Sequence, residues 1–404
     1  MRTLLHRRWL LLAEGLPRPF WALLGGTFIT RFGSFIVPLL FVYLTQRRGL
    51  TLTRAGQISA LYGLGSLAGS ALGGVLADRL GRRPTMLGSL LGGAACMLWL
   101  GFSTEVWQLA VATLALGLTS DAYRPASQAL LADVVPPEHR MKAFGLQYWA
   151  INLGFTFAAI IGGFMAQRNF DLLFFADAAT TLVLAAIVYR AVPESHGREA
   201  RAQQPGGNLL TPFFDPAYLP FLVLNLLVAV VFFQHLTGLP EDMRQKGLST
   251  EAFGIAVAFN GVLIVLLQPA VSAGSRTVSR AVLLAAASAL TGLGFGLTAL
   301  ATTLPHYVLT VCVWTLGEIV FAPVNASIVA DLSPAHLRGR YQGAFIITWS
   351  LAAMISPATG PWLMRLGMNA LWGTCAVIGL GTALVHLVVT ARVLPPTGKS
   401  SSEC

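Results

Sequence analysis

Long apolar runs follow one another along almost the whole chain, and they restrict its fold more than any other feature. About twelve are long enough to cross a bilayer, at 20–44, 54–77, 84–104, 106–132, 141–167, 170–191, 217–238, 250–273, 280–303, 305–330, 339–364 and 368–391. A lipid core needs roughly 20 apolar residues per helix. Lipid offers backbone amides no partners, so runs of this kind must satisfy their hydrogen bonds internally, as helices. Composition agrees: 11% of residues are charged and mean hydropathy is +0.68, whereas soluble domains carry about a quarter charged residues. The expected fold is an all-α polytopic membrane protein with twelve transmembrane helices.

A net charge of +10 would suit a nucleic-acid binder, but here the cations follow topology. With an even number of spans, most Lys and Arg fall on the side of both termini, among them Arg79, Arg82, Arg83, Arg140, Lys142, Arg338 and Arg340. Arg47, Arg48, Arg54, Arg168, Arg244, Lys246 and Arg365 fall on the other side. Basic loops stay cytoplasmic, so both termini are expected inside, in the cytoplasmic (inner) membrane, with no nucleic-acid partner. The Arg47/Arg48/Arg54 loop runs against this bias. Residues 1–19 read as a cytoplasmic segment lying on the membrane surface rather than a cleaved leader.

Residues 192–216, rich in Pro, Gly, Gln and charge, read as a cytoplasmic linker. They divide the chain into six spans at 20–191 and six at 217–391, with a tail at 392–404. The halves match at an offset of 198 residues: Pro125 aligns with Pro323, Asp133 with Asp331, Pro136 with Pro334, Arg140 with Arg338 and Gly145 with Gly343. Duplicated halves are a recurring construction in membrane carriers, which place the substrate site between the repeats near the midplane.

Between the second and third runs stands GVLADRLGRRP, residues 74–84, with four charges in six positions. A positive-inside turn explains the arginines but not the acid or the glycines. The pattern of Gly74, Asp78, Arg79, Gly81, Arg82 and Arg83, set between two six-span halves, resembles the loop signature of the major facilitator superfamily, with a multidrug-efflux, drug:proton antiporter character. The resemblance implies that Asp78 faces the start of the eleventh helix near Arg338–Gly343, and that Arg82 reaches Asp133 at the end of the fourth. These residues would form a latch between the halves. The corresponding stretch of the second half, VSAGSRTVSR, has no acid, so a second latch is expected to have decayed. Ala158-Ala159 stands where the antiporters of that family carry Gly-Pro, and Thr113 where they carry an arginine. Gly65, Gly69 and Gly73 form a small-residue face on the second span, suited to close helix approach.

Charges inside spans are expensive and functional by default. Arg31 lies near the middle of the first span, Asp121 and Arg124 in the fourth, and Glu318 in the tenth. The resemblance places the first, fourth, seventh and tenth helices around a cavity, so these four residues are the expected proton-coupling groups. Arg124 follows Asp121 by three positions and shares its helix face. Glu318 has no basic neighbour in its own helix, which makes it the first choice for proton coupling. Asp177 falls in the sixth span, peripheral in the resembling family, where a structural role is the simpler expectation. Tyr148, Trp149, Asn152, Asn225, Gln234, Asn260, Trp314 and Trp349 are the expected substrate-cavity side chains, aromatic with a few polar groups.

The four cysteines show no paired spacing and the seven histidines are scattered, so no metal and no cofactor is expected. Neither His-Glu-x-x-His nor Gly-x-Ser-x-Gly occurs, which argues against an enzyme. The expected function is secondary active, proton-coupled efflux of small amphipathic molecules by a monomer whose partners are the bilayer, the substrate and protons. An importer or facilitator of a specific metabolite is the alternative, and a non-transporting membrane receptor is the alternative from another class.

Overall fold

The computed structural model describes residues 16–136, 139–194, 210–274, 278–334 and 337–390. Within these, the side chains of Asp78, Ala132, residues 140–142, 269–274, Ala330, Arg338, Gly339, Val389 and Thr390 lie outside the description. The first half consists of α1 (Arg18–Phe32), α2 (Ile36–Val42), α3 (Leu52–Arg79), α4 (Arg82–Phe102), α5 (Val106–Val134), α6 (Arg140–Arg168) and α7 (Phe170–Ala191). The second consists of α8 (Tyr218–Phe232), α9 (Gly238–Gln245), α10 (Thr250–Gly274), α11 (Arg280–Leu297), α12 (Leu304–Leu332), α13 (Arg338–Arg365) and α14 (Met368–Val385).

Eleven helical spans are long and apolar enough to cross a membrane. The helix α5 is long enough, at 29 residues, but is not among them, because Asp121, Arg124 and several hydroxyl and amide side chains break its apolar run. The first span is discontinuous: α1 ends at Phe32, α2 starts at Ile36, and a π turn, Tyr43–Arg47, completes it. The seventh is discontinuous at the matching place, with a 3-10 turn at Phe233–Leu236 between α8 and α9.

Packing repeats from half to half. In the first, α3 and α4 lie on α5, α4 on α7, and α1 on α6; in the second, α10 and α11 lie on α12, α11 on α14, and α8 on α13. The halves meet through two further pairs, α3 with α13 and α6 with α10. Lipid supplies little drive for apolar side chains to associate, so close contact depends on small residues. A Cβ on Gly65, Gly69 or Gly73 would collide with the backbone of α5 at Leu114, Leu118 or Ala122. That glycine face is therefore an internal seam of the first half.

A different set of glycines joins the halves. Gly56 meets Pro357 and Pro361, Gly63 meets the backbone at Ala353 and Met354, and Gly163 approaches Thr250, Glu251 and Gly254. All these contacts lie towards the end away from the linker. The antiparallel register that sets Gly63 against Met354 sets Gly74 against Gly343, about 16 Å further along. Nothing lies within 4 Å of a Cβ built at either position. The close glycine contacts between α3 and α13 thus fall towards the end away from the linker.

Candidate functional site

Charged side chains in the middle of the bundle form two groups. In the first half, Arg124 Nε lies 3.5 Å from Asp121 Oδ1, with Asp121 13% and Arg124 60% exposed. Their i, i+3 spacing on α5 puts both on one face. Arg31, in the last turn of α1, stands within electrostatic reach of both, and of Tyr62 and Tyr123. Its guanidinium lies 5.3 Å from the ring centre of Phe155 on α6. The neighbouring Gly154 allows this approach, since a Cβ there would come within 2.6 Å of the Arg31 Cβ.

The second group surrounds Glu318 on α12. Asn260 on α10 donates its amide to Glu318 Oε2 at 2.6 Å and to Thr315 Oγ1 at 3.1 Å. Tyr148, on α6 of the other half, is within electrostatic reach of Glu318. Glu318 forms no ion pair among the described residues. Its carboxylate therefore faces the boundary between the halves with an amide and a phenol for company.

The expected cavity residues divide by burial. Tyr148 and Trp149 are exposed, Asn152 donates to the Tyr148 carbonyl at 2.9 Å, and Trp349 is half-buried. Asn225 and Trp314 are each 1% exposed, and Gln234 is equally enclosed. Asn225 bonds Thr348 and Asn325, and Gln234 bonds Ser356 and Thr237. These three are packed inside the second half and do not line open space in this conformation. Phe232, Phe233 and His235, beside Trp314 and Trp349, complete an aromatic wall with ring centroids 5.5 to 6.3 Å apart in the pairs Phe232–Trp314, Phe232–Trp349, Phe233–Trp349, Phe233–His235 and His235–Trp314. The sequence singles out Gln234 in the FFQH stretch but not the two phenylalanines, which read there as ordinary apolar span.

At the linker end, Arg82 pairs with Asp133 and donates to the Ala129 carbonyl at 3.2 Å. Arg83 donates to the Tyr189 carbonyl and lies over the Tyr189 ring. Gly81 has φ +109°, a region that favours glycine, and Arg79 is exposed at the end of α3. Glu194 accepts the backbone N–H of Arg82 at 3.1 Å and of Arg83 at 3.2 Å, capping α4. All of these partners belong to the first half, so the Arg82–Asp133 pair does not itself bridge the halves. Gly74 faces open space, and the Asp78 side chain lies outside the described residues.

Arg280 pairs with Asp331 in the second half. At the 198-residue offset Arg280 corresponds to Arg82 and Asp331 to Asp133. The second cluster lacks the loop acid but keeps its arginine–aspartate pair, with the acid at the end of α12 as Asp133 is at the end of α5. Position 276, which corresponds to Asp78, holds an arginine.

The outer cations that ran against the charge bias also have local partners. Arg48 donates to the Tyr43 hydroxyl at 2.6 Å and the Gly101 carbonyl at 2.8 Å, and Arg47 lies 3.6 Å from Asp171. Arg244 makes a two-pronged contact with Glu241, and Lys246 bonds Asp242 at 3.0 Å.

An all-helical bundle of repeated halves, with ionisable groups at its centre, has the build of a multi-pass membrane transporter. The chain belongs to the Major Facilitator Superfamily, whose sequence profile matches residues 23–357 and 243–403. It is 24% identical to a Na(+), Li(+), K(+)/H(+) antiporter of Planococcus maritimus, over 86% of this chain and 89% of that one. It is 25% identical to the multidrug resistance protein MdtH of Cronobacter sakazakii, over 87% of this chain and 89% of that one. Among solved structures it resembles a POT family transporter in complex with a thioalcohol-conjugated peptide, with a TM-score of 0.81, 17% identity, and coverage of 95% and 100% of the two chains. That last likeness concerns the fold alone.

Proposed function

We propose that this transporter exports small amphipathic molecules in exchange for protons, by alternating access between two six-span halves. On this reading α5 is the twelfth span, residues 192–216 join the halves, and the linker end and both termini face the cytoplasm. A single chain encloses the whole site, so a monomer suffices. Glu318 carries the proposal. It sits mid-span at the boundary between halves, bonded by an amide and, among the described residues, without a cation to hold its charge, and a proton is the cheapest neutralising partner in that setting. Asp121 serves as a second acid, held by Arg124 and within reach of Arg31. The exposed Tyr148 and Trp149 and the aromatic wall of α8, α12 and α13 suit an apolar, cationic cargo. Relatives named as a cation/proton antiporter and a multidrug resistance protein support the class of activity.

The register described above also supports the latch. When α3 and α13 close at the linker end, position 78 comes level with the first turn of α13, where free backbone N–H groups favour an acid. The Arg82–Asp133 pair would then hold the ends of α4 and α5 in place for that contact.

Purified protein in liposomes, with a pH-sensitive dye inside and an imposed proton gradient, tests the reading. Lipophilic cations should collapse the gradient with native protein and leave it intact with Glu318→Gln. Solute flux without proton movement would sink proton coupling and favour a facilitator. Proton movement driven by sugars but not by lipophilic cations would sink the proposed cargo.

A further inference from the structure

The first span breaks in the middle of the bundle, and an acid from another helix sits at the break. Asp177 on α7 is 1% exposed, and its Oδ2 accepts the backbone N–H of Phe35 and of Ile36, each at 3.1 Å. Ile36 begins α2 and its N–H has no carbonyl four residues back within the same helix, while the Phe35 N–H is shared with the Gly33 carbonyl at 3.1 Å. Gly33 lies against Thr180 so closely that a Cβ there would collide with the threonine side chain, and Thr180 donates to the Asp177 carbonyl at 3.0 Å. The joint at Gly33–Phe35 is thus built around one helical turn of α7.

The two sides of this joint are held differently. Beyond it, Tyr43 packs edge-on against Phe174 at 4.8 Å, Arg48 bonds Gly101, and Arg47 faces Asp171. These contacts fix the outer segment to α4 and α7. Before the joint, α1 carries Arg31 towards Asp121. Arg31 stands in the last turn of α1, whose C-terminal end favours a cation, and Asp177 stands at the start of α2, which favours an anion. Arg31 is within electrostatic reach of Asp177, as is Tyr62 of α3. The interiors of α4 and α6 bring no charged side chain to this level; their titratable groups are Cys96 and Tyr148.

The other half supplies a comparison. Its seventh span breaks at Phe233–Leu236, but there Gln234 and Thr237 bond each other at 3.1 Å and Gln234 reaches the Ser356 carbonyl at 3.3 Å. At the 198-residue offset, the position of Asp177 is taken by the buried Cys375. One joint is held by neutral groups and the other by a carboxylate.

We propose that the break in the first span is a proton-responsive joint. Asp177, ionised, closes it by capping α2; protonated, it is a weaker acceptor, releases the cap, and lets α1 and Arg31 move against the anchored outer segment. Asp177 is therefore a positioning residue for Arg31, and the inference does not depend on Glu318 or on the direction of transport.

The test measures a distance inside the first half, which rigid rocking of the halves leaves unchanged. All four cysteines are replaced by alanine, and spin labels are placed at Arg18→Cys on α1 and Arg190→Cys on α7, both exposed. Pulsed electron resonance in lipid nanodiscs then follows the label separation from neutral to acidic pH. The separation should shift with pH in this background and equally after Glu318→Gln, while Asp177→Asn should hold the acidic distribution at every pH. A distribution indifferent to pH while Asp177 is present overturns the proposal, as does a pH shift that survives Asp177→Asn. Should Asp177→Asn fail to fold, Asp177→Glu must keep the response with a displaced midpoint; an undisplaced midpoint counts against the joint.

Discussion

The two halves share one packing plan, yet each holds its helices by different means. In the first, α3 lies on α5 through Gly65, Gly69 and Gly73 with backbone against backbone. The corresponding positions of α10 are Leu263, Leu267 and Val271, none of them a glycine. In the first half a buried carboxylate caps the broken span; in the second, Gln234 ties the break to Thr237 and to the Ser356 carbonyl without capping the helix that follows. The close backbone approach moves as well: in the second half it falls between α11 and its neighbours, where Gly294 lies against the Trp314 backbone, Gly317 against the Ala287 carbonyl and Gly292 against Gly379, and the buried acids move to Glu241 and Asp242 of α9. The proposed proton-responsive joint lies in the first half and Glu318 in the second.

The largest expected effect breaks the packing side of this comparison. Gly69→Leu should prevent α3 from reaching α5, because Leu118 backbone atoms occupy the space a side chain needs. Overpacking of this kind costs about 1–3 kcal/mol, or more where backbone must move, and a loss at the upper end should appear as a large fall in unfolding temperature in detergent. Leu267→Ala, at the matching place in the second half, should cost less, because that half-buried side chain abuts a seam with no glycine at the matching positions. Equal falls in the two variants would show that both seams are equally tight.

Next come the paired arginines. Arg82 is 15% and Asp133 34% exposed, against 28% and 51% for Arg280 and Asp331. Arg82 also holds the Ala129 carbonyl. Arg82→Ala should therefore destabilise by about 1–2 kcal/mol and lower the transport rate about tenfold or more. Arg280→Ala should stay within about 1 kcal/mol and lose less transport. Thermal unfolding and liposome flux measured side by side check this, and a larger transport defect in Arg280→Ala would reverse the assignment of the dominant latch.

The apolar runs were legible because a lipid core demands about 20 residues of the same character, and α5 is the exception for a physical reason: Asp121 and Arg124 dilute its apolarity. The repeat was legible because Asp, Pro and Arg recur in register around short turns. The Arg280–Asp331 pair was missed because the search for an acid stopped at the loop, whereas its partner is 51 residues away in sequence. The joint at Gly33–Phe35 left almost no trace, since what Asp177 binds is backbone, and backbone amides look alike in every sequence. Arg47 and Arg48 looked anomalous because topology rules count charges without asking whether each has a local partner.

The smallest expected effects separate charge from hydrogen bonding at two equivalent helix starts. Glu194 takes two N–H groups of α4 with two carboxylate oxygens, whereas Ser279 takes one N–H of α11 at 3.4 Å. A cap is worth about 1 kcal/mol, and a negative charge at a helix N-terminus adds roughly 0.3–1 kcal/mol. Glu194→Ala should therefore cost more than Ser279→Ala in thermal unfolding, with Glu194→Gln between them because it keeps an acceptor and loses the charge. Raising salt should narrow the gap between Glu194 and Glu194→Gln and leave Ser279→Ala unmoved, since only the first difference is electrostatic and exposed to screening. If Glu194→Gln matches the native chain at every salt concentration, the charge contributes nothing there, and the two halves differ at these helix starts only in how many backbone groups are satisfied.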